Sequence, residues 1–97
     1  METRNQLLSL LMNANTLEDA FSLTKKFTSK PSNEDLLKLY SFYKQATEGD
    51  NQEDAPGGFD FVAAAKHNAW KKLEGMDKAE AVEKYVALVN QLSEKHM

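Results

Sequence analysis

No cysteine occurs in the 97 residues, which removes disulfides, thiolate metal sites and thiol nucleophiles together. Histidine is nearly as scarce: His67 and His96 stand too far apart in sequence to suggest a metal pair. Two prolines and four glycines leave few places to turn, and those places stand out at Pro31, Gly49, Pro56, Gly57-Gly58 and Gly75. No apolar run approaches the ~20 residues of a membrane-spanning helix, so no stable insertion into a bilayer is expected. No alternating run is long enough to demand a strand. The short apolar patch from Leu7 to Met12 is preceded by Glu2 and interrupted by Ser9, a poor match to a secretory signal. The expected location is the cytoplasm. Positive charge is in deficit as well: the net charge of -3 argues against nonspecific binding to nucleic acid, so any phosphate site must be a local cluster of lysines.

What is present is ordinary for a soluble domain, with 41% hydrophobic and 28% charged residues, enough for one core and too short for a second module. Leu7, Leu8, Leu10 and Leu11 could form a turn or two of helix in an extension over residues 1–15, covering the bottom of the fold. The domain proper is read as residues 16–97. Asn15 or Thr16 offers an N-cap, and Leu17, Ala20, Phe21, Thr24 and Phe27 follow at helical spacing. Lys25, Lys26 and Lys30 fall towards the end of that helix, where positive charge complements the dipole. Ser32, with Asp35 three residues on, opens a second helix that runs to about Glu48, with Gly49 as its left-handed terminator. The stretch from Asp50 to Asp60 has the composition of a solvated connection, and its carboxylates lack the spacing of a calcium loop. Asp60 caps a third helix from about Phe61 to Glu74. Asp77 and Glu80 make a capping pair for a fourth, which carries Ala81, Val82, Tyr85, Val86, Val89 and Leu92. The reading is all-α, a four-helix domain with one longer loop.

Within the second helix, Leu36, Tyr40, Tyr43 and Thr47 recur on one stripe about 100° wide, with Lys44 at its flank. Half-buried core tyrosines beside a solvated lysine would produce the same pattern. Two phenols and an ammonium on one face also suit a flat aromatic ligand that carries phosphate. Spacing alone leaves both open. On the third helix Lys66 stands one turn from Trp70, with Val62 continuing the line.

The run Leu39-Tyr40-Ser41-Phe42-Tyr43-Lys44-Gln45-Ala46-Thr47, followed by Gly49-Asp50, resembles the second-helix signature of the acyl-CoA-binding protein family. Lys30-Pro31, Pro56-Gly57, Lys66 with Ala69-Trp70, Leu73 and Gly75, and Ala81 with Tyr85 follow the family in the same order, over roughly Thr16 to Lys95. The resemblance implies an up-down-down-up four-helix bundle that binds long-chain acyl-CoA without chemical change, a monomer with no cofactor. It implies that Tyr40 and Lys44 bind the phosphate on the CoA ribose and that Tyr43 packs against the adenine. By the same resemblance Lys66 is a second phosphate-binding lysine, Tyr85 a ligand contact on helix four, and Lys25 a contact from helix one. Transient meetings with lipid-metabolising enzymes or membrane surfaces would follow from that role. The chain departs from the family pattern at His67, where Trp is usual, at Ala55, often basic, and at Val62 and Ala64, where many members have Lys.

The expected function is an acyl-CoA carrier and buffer. Two other classes compete with it. A thioesterase would need an activated nucleophile, and the sequence has no G-x-S-x-G elbow and places no base beside Ser41. A helical interaction module would use the tyrosine face for a protein partner.

Overall fold

A computed structural model describes residues 14–97; the helical turn expected at Leu7, Leu8, Leu10 and Leu11 lies outside the described residues. Among the described residues four helices follow one another: α1 over Leu17–Thr24, α2 over Asn33–Glu48, α3 over Phe61–Lys71 and α4 over Lys78–His96. Three of the four starts carry the caps their sequences predict. The side chains of Thr16, Ser32 and Asp60 accept from the backbone N–H groups of Asp19, Asp35 and Ala63, each satisfying one donor that the helix leaves unpaired. The fourth differs. Asp77 makes no side-chain capping bond, so the capping pair expected with Glu80 does not form, and what remains is acidic charge at the positive end of the dipole.

Two helices end sooner than their apolar spacing suggests. α1 stops at Thr24, with Lys25 as C-cap and no basic residue in its last turn. Lys30 therefore sits in the connection to α2, and the expected dipole role for Lys25, Lys26 and Lys30 is not seen. α3 stops at Lys71, and tighter bonds from Leu73 N–H to the Trp70 carbonyl and from Glu74 N–H to the Lys71 carbonyl wind the chain into the turn at Gly75.

The relative directions of the helices follow from their contacts. Along α2 and α3, Tyr40 meets Lys66 and Lys44 meets Trp70, so these two run parallel. Against α4 the order reverses, Tyr43 meeting Tyr85 and Gly49 approaching Lys78. Ala14 pairs with Asn90 through two hydrogen bonds, and Thr28 N–H donates to the His96 carbonyl, so α1 and α4 advance together. The result is up, down, down, up. Ala20, Leu39, Tyr85, Val89 and Leu92 form the buried centre among α1, α2 and α4. Among the described residues α3 packs on α2 and on no other helix.

The lower end of that α2–α3 pair is held by polar groups. Gln45, fully buried, donates from Nε2 to Asp50 Oδ1 at 2.9 Å and to the Met76 carbonyl at 2.8 Å. Asp50 Oδ1 also accepts from Gly75 N–H at 2.8 Å, and these two donors, Gly75 first, hold its carboxyl below the usual range. Asn51 is only 3% exposed and donates to the His67 carbonyl, while the His67 ring lies 3.1 Å from the Glu53 carbonyl oxygen. The first residues of the 49–60 connection are thus built in rather than solvated, contrary to their composition. Trp70, 2% exposed, donates from its indole N–H to the Gly49 carbonyl at 2.8 Å.

Gly49 makes that last bond possible. Its φ of 82° and ψ of -150° lie outside the left-handed helical region expected of a terminator, in a region open essentially only to glycine. An added Cβ would have space, its nearest neighbour being Lys78 Cε at 3.4 Å, so strain alone decides the effect. Gly49→Ala is expected to lose about 1–3 kcal/mol, seen in urea unfolding as a lower midpoint at unchanged slope; an unchanged midpoint would show that the backbone relaxes freely.

Candidate functional site

The stripe on α2 faces a groove rather than the core alone. Tyr40 and Tyr43 sit half-buried between α1, α3 and α4, and both line a cavity of about 920 Å³, near the upper end of the ~300–1,000 Å³ typical of ligand pockets. Lys44 lines it from α2, Lys66 from α3 and Tyr85 from α4. Five of the six residues singled out from the sequence are thereby brought to one opening. Phe21, Phe27, Pro31, Leu36 and Leu39 supply apolar wall.

Aromatic rings form one side of the opening. Tyr43 lies between Phe21, with centroids 5.1 Å apart, and Tyr85, at 5.4 Å, both separations in the range of favourable tilted pairs. Each ring is thus held in place before any ligand arrives. Tyr85 is buried, which pushes its phenol pKa up to about 12; the nearby Tyr43 acts in the same sense and Thr24 weakly against it.

The two ammonium groups are held differently. Lys66 is exposed, its Nζ 5.4 Å from the centre of the Tyr40 ring. Lys44 lies in the α2–α3 seam with Nζ 4.8 Å from the Trp70 ring centre, and donates to the Glu48 carboxylate one turn away. That hydrogen bond is the main reason its pKa is raised above the ordinary lysine value. Both ammonium groups sit over an aromatic face.

Lys25 stands apart from the lining. Its Nζ lies 4.6 Å from the centre of Phe21, and only Phe21 of the two reaches the groove. The lysine that does line it from this side is Lys30. Because α1 ends at Thr24, the segment that follows swings Lys30 to the opening, next to the buried ring of Pro31. The Lys30-Pro31 pair was the sequence signal for it. Behind that segment Ser29 Oγ and His96 Nδ1 lie 2.8 Å apart, and the His96 carbonyl accepts from Thr28 and Ser29 N–H.

The family described as acyl CoA binding protein matches this chain over residues 14–89. The chain belongs to the acyl-CoA-binding protein family. It is similar to the acyl-CoA-binding protein of Dictyostelium discoideum, 48% identical over 81 residues, which make up 84% of this chain and 96% of that one. Acyl-CoA-binding protein homolog 1 of Caenorhabditis elegans is 44% identical over 84% of this chain and 94% of its own. The crystal structure of acyl-CoA-binding protein 2 of Oryza sativa superposes with a TM-score of 0.77 at 40% identity, covering 81% of this chain and 88% of that one. The four-helix arrangement expected from the resemblance is the one found.

In this member of the acyl-CoA-binding protein family, the burial of Tyr85 has a measurable signature. Its proton is held more tightly in the folded protein, at a pKa of about 12, than at the ordinary phenol value of 10.0. Between those values the folded state keeps a proton that the unfolded state has lost, so stability is full below pH ~10 and falls as pH rises towards ~12. Phenolate absorbance should show one tyrosine titrating late, and Tyr85→Phe should remove that late step; a single step near pH 10 for all tyrosines would contradict the burial.

Proposed function

We propose that the groove binds long-chain acyl-CoA esters without chemical change, and that the chain acts as a cytoplasmic, monomeric carrier and buffer for them. The observation that carries this reading is the convergence of Lys44 and Lys66, from different helices, on one groove with Tyr40, Tyr43 and Tyr85. CoA brings about four negative charges at neutral pH, one pair on a phosphomonoester with a second pKa near 6. Against a chain of net charge -3, such a ligand needs several cations gathered at one place. Lys44 and Lys66 hold the ribose phosphate with the Tyr40 hydroxyl, and Tyr43 offers its ring to the adenine. Tyr85 closes the inner wall, Lys30 adds charge beside Pro31, and Lys25 acts from the rim above Phe21. The acyl tail takes the apolar wall, where each methylene removed from water contributes about 0.8 kcal/mol.

One observation speaks for a thioesterase instead: the contact between Ser29 and His96 beside the groove. Two facts weigh against it. The N–H groups of Thr28 and Ser29 are both directed at the His96 carbonyl, which withholds them from a developing oxyanion. No carboxylate is bonded to the His96 ring among the described side chains, so nothing orients it as a base. Ser41 is buried and donates to the Lys38 carbonyl.

Calorimetry with palmitoyl-CoA, free palmitate and free CoA separates the readings. Tight binding of the ester alone, with no thiol released on incubation, is the expected outcome; equal binding of all three, or sustained thiol release, would overturn it. Lys44→Ala is expected to weaken the ester by roughly tenfold or more, since charge-assisted bonds contribute about 1.5–3 kcal/mol, and Tyr40→Phe by less.

Glu48 gives a prediction of opposite sign. Because it already holds the Lys44 ammonium, a ligand phosphate must share or displace it. Glu48→Gln should tighten palmitoyl-CoA by up to about fivefold, the scale of a partly exposed ion pair. Weaker binding would mean that Glu48 positions Lys44 rather than competing for it.

A further inference from the structure

Around the start of α3, three apolar side chains are left uncovered among the described residues. Phe59 is 89% exposed, Phe61 77% and Val62 67%, against 39% for Phe21 on the groove wall, and Phe27, Tyr40, Tyr43 and Tyr85 are buried or half-buried. Gly57 and Gly58 precede them, and a Cβ at either would meet nothing within 4 Å, so this end of the connection stands clear of the domain. Single exposed apolar residues are common, but three within four positions are a patch.

The patch lies at one end of the groove. α2 and α3 run parallel with Tyr40 level with Lys66. One turn earlier on each helix, Val62 is therefore level with Leu36, a residue of the apolar wall. A tail leaving the groove at this end would emerge beside the two phenylalanines.

Size and charge indicate the occupant. Each ring offers at most roughly 150–250 Å², so the whole patch falls short of the ~800 Å² per partner of a stable protein interface. A second copy of the chain would gain too little there. A lipid interface has no such threshold, because each inserted side chain contributes separately. The neighbouring acidic residues Glu53, Asp54 and Asp60 disfavour an anionic surface and leave a zwitterionic one.

We propose that Phe59, Phe61 and Val62 are a membrane-contact edge, which dips into a zwitterionic phospholipid surface and sets the end of the groove against it so that an acyl tail passes between bilayer and protein. The proposal rests on the acyl-CoA reading for the cargo alone; the contact with lipid stands on exposure and charge.

The test uses the full chain and a variant carrying Phe59→Ser, Phe61→Ser and Val62→Ser, which touches no buried position and should keep its circular dichroism and melting curve. Flotation with phosphatidylcholine vesicles should show a vesicle-bound fraction of ligand-free protein that the variant reduces by about fivefold or more. Uptake of palmitoyl-CoA preloaded in those vesicles should slow in step, while calorimetric affinity for the ester in solution stays within about twofold. Replacing part of the phosphatidylcholine with phosphatidylserine should weaken the contact. Equal flotation of the two proteins would overturn the proposal, as would stronger binding on adding phosphatidylserine, or a dimer in sedimentation that the variant abolishes. If the unmodified chain shows no affinity for palmitoyl-CoA in solution, the carrier reading fails on its own, and flotation of the ligand-free protein still decides whether the edge meets lipid.

Discussion

The hydrogen bond from the Trp70 indole to the Gly49 carbonyl holds together the half of the molecule that carries Lys44 and Lys66. Among the described residues α3 has no helical neighbour but α2, so its height and rotation rest on this bond, on Gln45 reaching Asp50 and Met76, and on Asn51 reaching the His67 backbone. Each of these sits at the C-terminal end of α2. From there the register runs up the pair: Trp70 beneath Lys44, then Lys66 beside Tyr40. A slip of one residue would turn Lys66 by about 100° around α3 and separate the two cations. The buried polar latch is therefore a positioning device as well as a source of stability.

The remaining helices serve a different end. α1, α2 and α4 enclose the apolar centre around Ala20, Leu39, Val89 and Leu92, and Tyr85 and Tyr43 are where that centre meets the groove. Those tyrosines are shared between core and site, so the choice between a core stripe and a ligand stripe on α2 has no single answer. Tyr43 stacks on its neighbours and still presents an edge to the opening. The rings contribute to packing, and both residues also line the groove.

Much of this was legible in the chain itself. The capping residues Thr16, Ser32 and Asp60 marked helix starts because their chemistry is local, and the spacing of Tyr40, Tyr43 and Lys44 put them on one face for the same reason. Facts that depend on tertiary packing were hidden. Nothing in the spacing of Lys66 relates it to Tyr40; that needs the parallel course of α2 and α3, which entered only through the family resemblance. The substitution of Lys30 for Lys25 at the groove depends on where α1 stops, and Phe27 continues the apolar pattern past the true end at Thr24. Asn51 looked like loop because amides usually do, and its burial is settled by a partner sixteen residues away, the backbone of His67.

A helix fastened along one flank and at one end leaves its other flank without a helical neighbour among the described residues. Were a fatty ester to lie in the seam, the cargo itself would become the missing layer, and the laden molecule would be stiffer along α3 than the empty one.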